Sequence, residues 1–508
     1  MNEGRKALME GKLPLGRKIG YGVSELGTSA AELIIRLYLL IFFTDVVGLT
    51  PRLAGYAVAL GVVWDAVTDP LMGTLSDTTR TRWGRRRPYI AVGGMALAFS
   101  LLLLFSPPAL STQLSKFVFL VLCYMLVNTC MTVIAVPHAA LGRDLTFDAN
   151  ERTEVYGFRL LFGNFGFLAG TVLPGLMLAR LPDGAGLAAR TAAHSRAAGV
   201  ISVMIVVAAL TTFFATRGKD IAVPAVAKAT ARDAAGTAVP RKKDRLLSQI
   251  ASVMKNRIFL PLLAAYFVAT LGLAINSATA LYFYRYRLRL QEGDIQLVLS
   301  VFIFVFCASI VMWVLVSRKF GKKMPAFWAS LALGLVTAAV YPFLPPLRVG
   351  PVLAVAVVGG FLVGSIVLLE SLVADTVDFD ELVTGRKREG VYFGFWKMSA
   401  KIARACAIAL AGNLLHVIGY VPNEAQLPAV SGKLALIFGP GVGFFVVAGA
   451  AIFLFMPLTN EKHRRIQALL AKKRELRGRY GRTLGERGSV GSIGSVDGGN
   501  PNRVPKPS

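Results

Sequence analysis

The sequence alternates long apolar stretches with short polar or basic connections along most of its 508 residues. About 20 apolar residues in a helix are enough to cross the hydrocarbon core of a bilayer. A chain of this length that is 55% hydrophobic and only 17% charged is not typical of a soluble protein. Because backbone polar groups must be satisfied within the bilayer, each stretch is expected to be helical. The pattern therefore predicts an all-α membrane protein.

The apolar stretches predict twelve transmembrane helices arranged as two six-helix bundles. The bundles are expected over 19–215 and 258–456, joined by a cytoplasmic loop over 216–257. Residues 1–18 form an N-terminal tail, and 457–508 a basic tail that is expected to be partly disordered. The individual spans are predicted near 19–43, 52–73, 89–106, 115–138, 155–178, 197–215, 258–283, 295–316, 326–344, 350–373, 391–418 and 434–456.

Basic residues recur in alternate connections and do not form one patch, although the net charge is +27. Cytoplasmic loops of membrane proteins are rich in lysine and arginine, so both termini are expected in the cytoplasm. The lipid bilayer, and not nucleic acid, is the partner that this pattern indicates. Residues 1–17 lack the apolar core of a signal peptide. We expect a monomeric, multi-pass protein of the bacterial inner membrane.

Residue types that carry enzyme chemistry are few and scattered. The four histidines and four cysteines show no metal-ligand spacing, and the cysteines lie in apolar stretches. The sequence has no recognisable nucleophile–base pair and no glycine-rich phosphate-binding motif. We therefore expect neither an enzyme nor a bound cofactor.

The basic connection after the second apolar stretch is repeated in the second half. Residues 82–88 read RWGRRRP and residues 319–325 read KFGKKMP, with basic, aromatic, glycine and proline positions in the same order. The match favours a duplicated six-helix unit with a site near the bilayer midplane. A positive-inside loop that collects arginines by chance is the alternative. A cytoplasmic gate is expected at Asp77, Arg82, Gly84 and Arg85.

Two carboxylates lie inside the second apolar stretch. Asp65 and Asp69 are four residues apart and so share one helix face. Each costs about 2.5–3.5 kcal/mol at the centre of a membrane helix, which favours a functional role. Such a pair suits a dehydrated cation, which needs charged oxygen ligands, or a proton shared between the two groups. A structural cap or salt bridge within the bundle is the remaining alternative.

Several motifs are similar to those of a known family. They lie at 43–49 (FTDVVGL), 64–70 (WDAVTDP), Pro137, 144–146 (DLT), 150–153 (NERT) and 375–401. With them the chain resembles the glycoside–pentoside–hexuronide:cation symporters of the major facilitator superfamily, to which melibiose permease belongs. The resemblance extends over essentially all expected helices and is most specific at the paired aspartates.

The resemblance implies a cation site on the second and fourth spans. Asp65, Asp69 and Thr132 stand at the family's cation-site positions, and Thr68 replaces an asparagine of melibiose permease. The coupling ion is expected to be Na⁺, held by Asp65 and Asp69, or H⁺, with Li⁺ a further candidate.

The resemblance also implies which residues contact the substrate. Lys401 matches a family lysine that can pair with the aspartates across the halves, and Arg159 matches an arginine near the substrate cavity. An interfacial arginine that reaches toward lipid headgroups is the alternative for Arg159. Two aspartates and a tryptophan that bind sugar in melibiose permease are replaced by Ser29, Ala135 and Ala139. The cation half of the pattern is kept, whereas the galactoside half is not.

Three further charges lie in the first expected span: Glu25, Glu32 and Arg36. The i,i+4 spacing of Glu32 and Arg36 is that of a helical ion pair. Two interpretations are open: these residues line a cavity, or they form a buried structural pair.

Taken with the resemblance, the sequence predicts a secondary active transporter for a small-molecule substrate. The favoured hypothesis is Na⁺- or H⁺-coupled symport of a sugar, glycoside or related solute by alternating access. The alternative is symport of a lysophospholipid or another amphipathic solute, because the small residues at Ser29, Ala135 and Ala139 suit a less polar cavity. A non-transporting receptor or scaffold is a third hypothesis, against which the buried charges argue.

Overall fold

The computed structural model of the chain describes residues 13–79, 81–146, 149–182, 185–217, 256–384 and 388–457, with isolated positions at 253, 462, 465, 466 and 469. Apart from connections and an isolated bridge between Thr81 and Gly84, these residues are helical. The first twelve residues, most of the expected central loop and most of the expected C-terminal tail lie outside the described residues.

The first half contains seven helical segments in the described residues. Proline in the first turn of the third and fourth segments needs no N–H donor there, and a capping box between Thr112 and Ser115 begins the fifth. The segments are α1 (Leu15–Gly22), α2 (Ser24–Ile41, continued by a π turn Phe42–Val46), α3 (Pro51–Thr78), α4 (Arg87–Leu104), α5 (Gln113–Leu145), α6 (Ala149–Ala179) and α7 (Leu187–Ala215).

The second half repeats this order of long helices. Its segments are α8 (Phe259–Tyr282, continued by a π turn Phe283–Arg287), α9 (Glu292–Phe320), α10 (Lys323–Val340, continued by a 3₁₀ turn Tyr341–Phe343), α11 (Val349–Val363), α12 (Ile366–Thr384), α13 (Glu389–Val417), α14 (Pro428–Leu436, continued by a π turn Ile437–Gly441) and α15 (Val442–Leu454).

Backbone turns at matching positions relate the two halves. Gly48 and Arg289 each lie six residues after the start of the π turn that ends α2 or α8, with φ of +75° and +52°. Gly84 and Gly321 occupy the same place in the two basic connections, with φ of +106° and +78°. The halves therefore share local backbone geometry as well as the sequence pattern of these connections.

Eleven helices or helix pairs among the described residues are long and apolar enough to cross a membrane. The pairs are α1 with α2, α11 with α12, and α14 with α15. α3 is not one of the eleven, although its 28 residues exceed the length needed. The all-α membrane architecture is confirmed. The count of twelve spans and the cytoplasmic side of the termini stay predictions.

The two halves meet along three pairs of helices. α3 packs on α13, α6 on α9, and α2 on α8. A Cβ atom at Gly412 would lie 2.4 Å from the carbonyl oxygen of Pro51, and one at Gly55 would lie 2.9 Å from that of Ile408. Glycine at both positions therefore allows the backbones of α3 and α13 to touch near the N-terminal end of α3.

At the same end of the molecule the halves are joined by a buried carboxylate. Asp45, in the π turn after α2, accepts hydrogen bonds from the hydroxyls of Tyr286 and Tyr420, the latter at 2.9 Å to both oxygens. The side-chain amide of Asn423 donates to its backbone carbonyl, and Arg285 lies 3.9 Å from its carboxylate. We call Asp45, Tyr286, Tyr420 and Asn423 the Asp45 cluster. Its donors come from the second half and its acceptor from the first.

We predict that Tyr420→Phe weakens the contact between the two halves at the Asp45 cluster. The ring that packs on Tyr282 stays, while hydrogen bonds to a charged group, worth about 1.5–3 kcal/mol, are lost. Spin labels are attached at the exposed positions Ser111 and Leu427 in a variant without the native cysteines. Double electron–electron resonance should then show a new population at a longer distance between the labels. Tyr341→Phe, which lies within the second half, is the control. An unchanged distance distribution in Tyr420→Phe would show that the cluster does not hold this end closed.

Candidate cation and substrate site

Asp65 and Asp69 on α3 share one hydroxyl of α5. The Oγ1 atom of Thr132 lies 2.8 Å from Oδ1 of each aspartate. A hydroxyl has one proton, so Thr132 can donate to one of the two carboxylates at a time. The second close contact is satisfied when the other carboxylate carries a proton or when a cation lies between the oxygens. The three side chains therefore form a compact oxygen cluster that is suited to a small cation.

Lys401 on α13, in the second half, forms ion pairs with both carboxylates of this cluster. Its Nζ atom lies 2.7 Å from Oδ2 of Asp65 and also donates a hydrogen bond to Oδ2 of Asp69. The ammonium thus occupies the position where a bound monovalent cation would contact both carboxylates. The side chain of Asp69 is 36% exposed although it faces the opposite half, which indicates open space between the halves here. Two carboxylates and one ammonium leave one formal negative charge.

Contacts between α3 and α5 fix the position of the aspartates along α3 relative to Thr132. The indole N–H of Trp64 donates to the hydroxyl of Thr129 over 2.9 Å, and the amide of Asn128 donates to the carbonyl of Gly61 over 3.2 Å. Gly61 and Asn128 lie one turn before Asp65 and Thr132 on their helices, and Trp64 directly precedes Asp65. The hydroxyl of Thr68 donates to the carbonyl of Asp65 in its own helix, 3.2 Å away. The proton of this hydroxyl is thus used within α3, and the role of Thr68 as a cation ligand stays a prediction.

A second group of charges lies entirely within the first half. Arg159 on α6 donates two hydrogen bonds to Glu25 on α2, over 2.7 and 3.1 Å. Nδ1 of the buried His138 lies 3.3 Å from the same carboxylate, and its Nε2 lies 2.8 Å from the carbonyl of Tyr21. This geometry makes Arg159 a partner of Glu25 and not an isolated arginine at the membrane interface.

The three small residues that replace sugar-binding side chains lie in different surroundings. Ser29 is buried against α6, where a Cβ atom at Gly166 would lie 2.8 Å from its own Cβ. Ala135 is exposed and Ala139 is half-buried, with its carbonyl accepting a hydrogen bond of 3.0 Å from Tyr156. Ser29 therefore packs against α6, whereas the side chain of Ala135 is exposed; their contact with substrate stays a prediction.

The expected gate residues are described in part. The guanidinium of Arg82 lies over the ring of Trp83, 4.8 Å from its centroid, and Arg85 is half-buried. Gly84 takes the positive φ of the turn. The side chain of Asp77 lies outside the described residues, so its expected contact with these arginines stays a prediction.

The spacing of Glu32 and Arg36 suggests a pair that the structure does not contain. Among the described residues Glu32 pairs with Arg404 on α13, over 3.0 Å, and not with Arg36. Nε of Arg36 instead donates to the hydroxyl of Ser277 on α8 over 3.2 Å. Both contacts cross between the halves. The signal for Arg404 was its three-residue spacing from Lys401 in an apolar helix, which places both on one face.

Comparison with known proteins identifies the family. Residues 20–460 match the family described as MFS/sugar transport protein, so the chain belongs to this family of membrane transporters. The resemblance inferred from the paired aspartates is thereby confirmed, and the family is one of transporters and not of enzymes.

Relatives along nearly the whole chain are symporters. An uncharacterised symporter of Synechocystis sp. is 27% identical over 92% of this chain and 99% of its own length. A putative glycoside/cation symporter of Escherichia coli is 26% identical over 92% and 97%. A sodium-dependent lysophosphatidylcholine symporter of Danio rerio is 25% identical over 86% and 85%.

The fold agrees with that of solved transporters. The inward-open xylose transporter of E. coli superposes with a TM-score of 0.59 at 14% identity, over 89% of this chain and 98% of that one. The chain therefore has the major facilitator fold and is a multi-pass membrane transporter. This is consistent with the expected inner-membrane location. The bilayer surrounds it and a small molecule is its substrate.

We predict that Lys401→Met destabilises the protein and makes its stability depend more strongly on added cations. Breaking a buried ion pair costs about 3–5 kcal/mol, and partial exposure of these side chains places the effect at or below the lower end. Thermal unfolding in detergent, with and without sodium and across pH, measures both effects. Lys397→Met, one turn earlier and exposed, is the control. Equal cation dependence in both variants would mean that Lys401 does not compete for the carboxylates.

Proposed function

We propose that the protein is a cation-coupled symporter whose coupling ion binds between Asp65, Asp69 and Thr132. The observation that carries this proposal is the single hydroxyl of Thr132 at 2.8 Å from both carboxylates. Two carboxylates and a hydroxyl on adjacent helices offer five oxygen atoms around one point. Hard cations such as sodium prefer oxygen ligands of this kind. Carboxylates within a membrane helix cost free energy on insertion, which favours a functional role for this pair.

Sodium and protons remain the two candidates for the coupling ion. Sodium would replace the ammonium of Lys401 among the oxygens, whereas a proton would settle on one carboxylate and leave the other paired. A proton added while Lys401 stays in place neutralises the formal negative charge of the cluster, whereas sodium takes over the positive charge that the ammonium supplied to the carboxylates. Two bare carboxylates resist closure in a poorly solvated space, and a bound cation removes this resistance.

Release of Lys401 would link ion binding to the movement of the halves. Lys401 belongs to α13 and the carboxylates belong to α3, so their ion pairs join the halves in the middle of the molecule. When a cation takes the place of the ammonium, this connection weakens, while the Asp45 cluster holds the end of the molecule near the start of α3. Rocking of two bundles about a central site is the expected transport cycle. Ion and substrate then raise each other's affinity by the same factor.

A sugar, glycoside or related polar solute is the favoured substrate. The glycoside/cation symporter of E. coli among the relatives supports this choice. A lysophospholipid is the second candidate, supported by the Danio rerio relative and by the exposed Ala135 in place of a carboxylate. We expect a monomer in the bacterial inner membrane, with both termini in the cytoplasm and Asp77, Arg82, Gly84 and Arg85 at the cytoplasmic gate.

We predict that Asp69→Asn abolishes uphill uptake. In reconstituted vesicles an imposed sodium or proton gradient should drive accumulation of substrate by the wild type and not by this variant, because the amide removes one charge of the cation site. Glu424→Gln, at an exposed position in the connection before α14, is the control and should transport normally. Undiminished uphill uptake by Asp69→Asn would exclude the proposed site.

Thermal unfolding of the wild type and of Asp69→Asn identifies the coupling ion. A ligand at 100 times its Kd stabilises the folded state by about 2.7 kcal/mol. Stabilisation by sodium but not by choline, lost in Asp69→Asn, identifies sodium. A pH-dependent stabilisation without a sodium effect, also lost in Asp69→Asn, identifies the proton. Lithium in place of sodium tests the third candidate.

A further inference from the structure

Arg36 presents unused hydrogen-bond donors at the contact between the halves. Its Nε atom donates to the hydroxyl of Ser277, which in turn donates to the carbonyl of Leu273 over 3.0 Å. In the part of the chain that the structure describes, no acceptor contacts its two terminal nitrogens, and these nitrogens are not buried. The side chain is half-buried, so its guanidinium is fixed at one nitrogen and open at the other two.

Among the described residues, the charges next to Arg36 sum to one excess positive charge. Arg36 interacts electrostatically with Glu32 and Arg404, but Glu32 already pairs with Arg404 over 3.0 Å. Two guanidinium groups and one carboxylate leave a single positive charge. Glu370, a further carboxylate on α12, has Lys397 as its own electrostatic neighbour. Once a coupling ion has neutralised the neighbouring Asp65 and Asp69, this excess positive charge between membrane helices is costly, so a bound anion would stabilise the site.

An aromatic pair lies in the same electrostatic environment as the two arginines. Tyr266 on α8 interacts electrostatically with Arg36 and Arg404, and its ring stacks on Trp396 with 3.6 Å between centroids and 11° between planes. Stacking on the buried Trp396 holds the Tyr266 ring in place. The site thus combines cationic donors with a fixed aromatic ring, which suits a ligand with an anionic group on an apolar or ring-shaped body.

We propose that Arg36, together with Arg404, binds an anionic group, a carboxylate or a phosphate, on the transported substrate. The planar guanidinium matches both groups in bidentate geometry. This inference rests on the proposed function and adds the charge of the substrate to it. Because Arg36 belongs to the first half and Arg404 to the second, the anion contacts both halves. Arg404 follows Lys401 by three residues on one face of α13, so the cation and anion sites are neighbours and neutralise each other.

The test compares anionic ligands with neutral ones of the same shape. Thermal unfolding of the purified full chain is measured with phenyl glucuronide against phenyl glucoside, and with oleoyl lysophosphatidic acid against monoolein. The wild type should be stabilised by the anionic member of one pair at concentrations at which the neutral member has no effect. Selectivity in the first pair identifies a carboxylate on a sugar, and selectivity in the second identifies a phosphate on a lipid. Equal stabilisation by both members, or by neither, overturns the anion site.

Variants of Arg36 assign the effect to this residue. Arg36→Gln should weaken binding of the effective anion about 10–100-fold, as expected for loss of charge-assisted hydrogen bonds. Arg36→Lys keeps the charge without the bidentate fork and should have intermediate affinity. Arg52→Gln, which removes an exposed arginine, is the control and should bind as the wild type does.

Cation-dependent stabilisation in the same samples separates the two proposals. It should persist in Arg36→Gln, which also shows that the variant is folded. Full anion affinity in Arg36→Gln overturns the role of Arg36 and leaves the symporter intact. Absence of any cation effect in the wild type overturns the proposed function itself.

Discussion

The ammonium of Lys401 between Asp65 and Asp69 is the interaction on which the arrangement of the two halves depends. Carboxylates inside a membrane helix need a positive partner, and here that partner comes from the opposite half. α3 and α13 must therefore lie side by side, and glycines at positions 55 and 412 allow their backbones to touch. A movement that separates these helices has to supply another cation to the carboxylates. Charge neutrality, as much as shape, controls which arrangements of the halves are accessible.

The charges of the structure form two systems with different consequences. Glu25, Arg159 and His138 contact one another within the first half, where they brace α2, α5 and α6 as one body. Asp65 with Lys401, and Glu32 with Arg404, instead join one half to the other. Contacts of the first kind can persist through a rigid-body movement of the halves. Contacts of the second kind must break or exchange partners, and they are the ones on which a bound ion or substrate can act.

The sequence predicted those features that depend on local spacing. The apolar stretches predicted the helices, and the four-residue spacing of Asp65 and Asp69 placed them on one face. Contacts between residues far apart in the sequence could not be predicted in this way. Glu32 has a suitable arginine one turn away, yet tertiary packing pairs it with Arg404. Thr68 stands beside the aspartates in the sequence, but its hydroxyl turns back to its own helix. Asp45 gave no separate signal, because the tyrosines that donate to it from the second half lie more than 200 positions away and only folding brings them to it.

The repeated π turns have a consequence for the Asp45 cluster. Asp45 is the fourth residue of the turn after α2, and Tyr286 is the fourth residue of the turn after α8. The two side chains that meet across the halves thus occupy matching positions in the two halves. Two identical halves would place the same residue on both sides, and two facing aspartates would repel each other. A donor that faces an acceptor at this point therefore requires different residues at matching positions, so the closed end depends on a sequence difference between halves that share their backbone geometry.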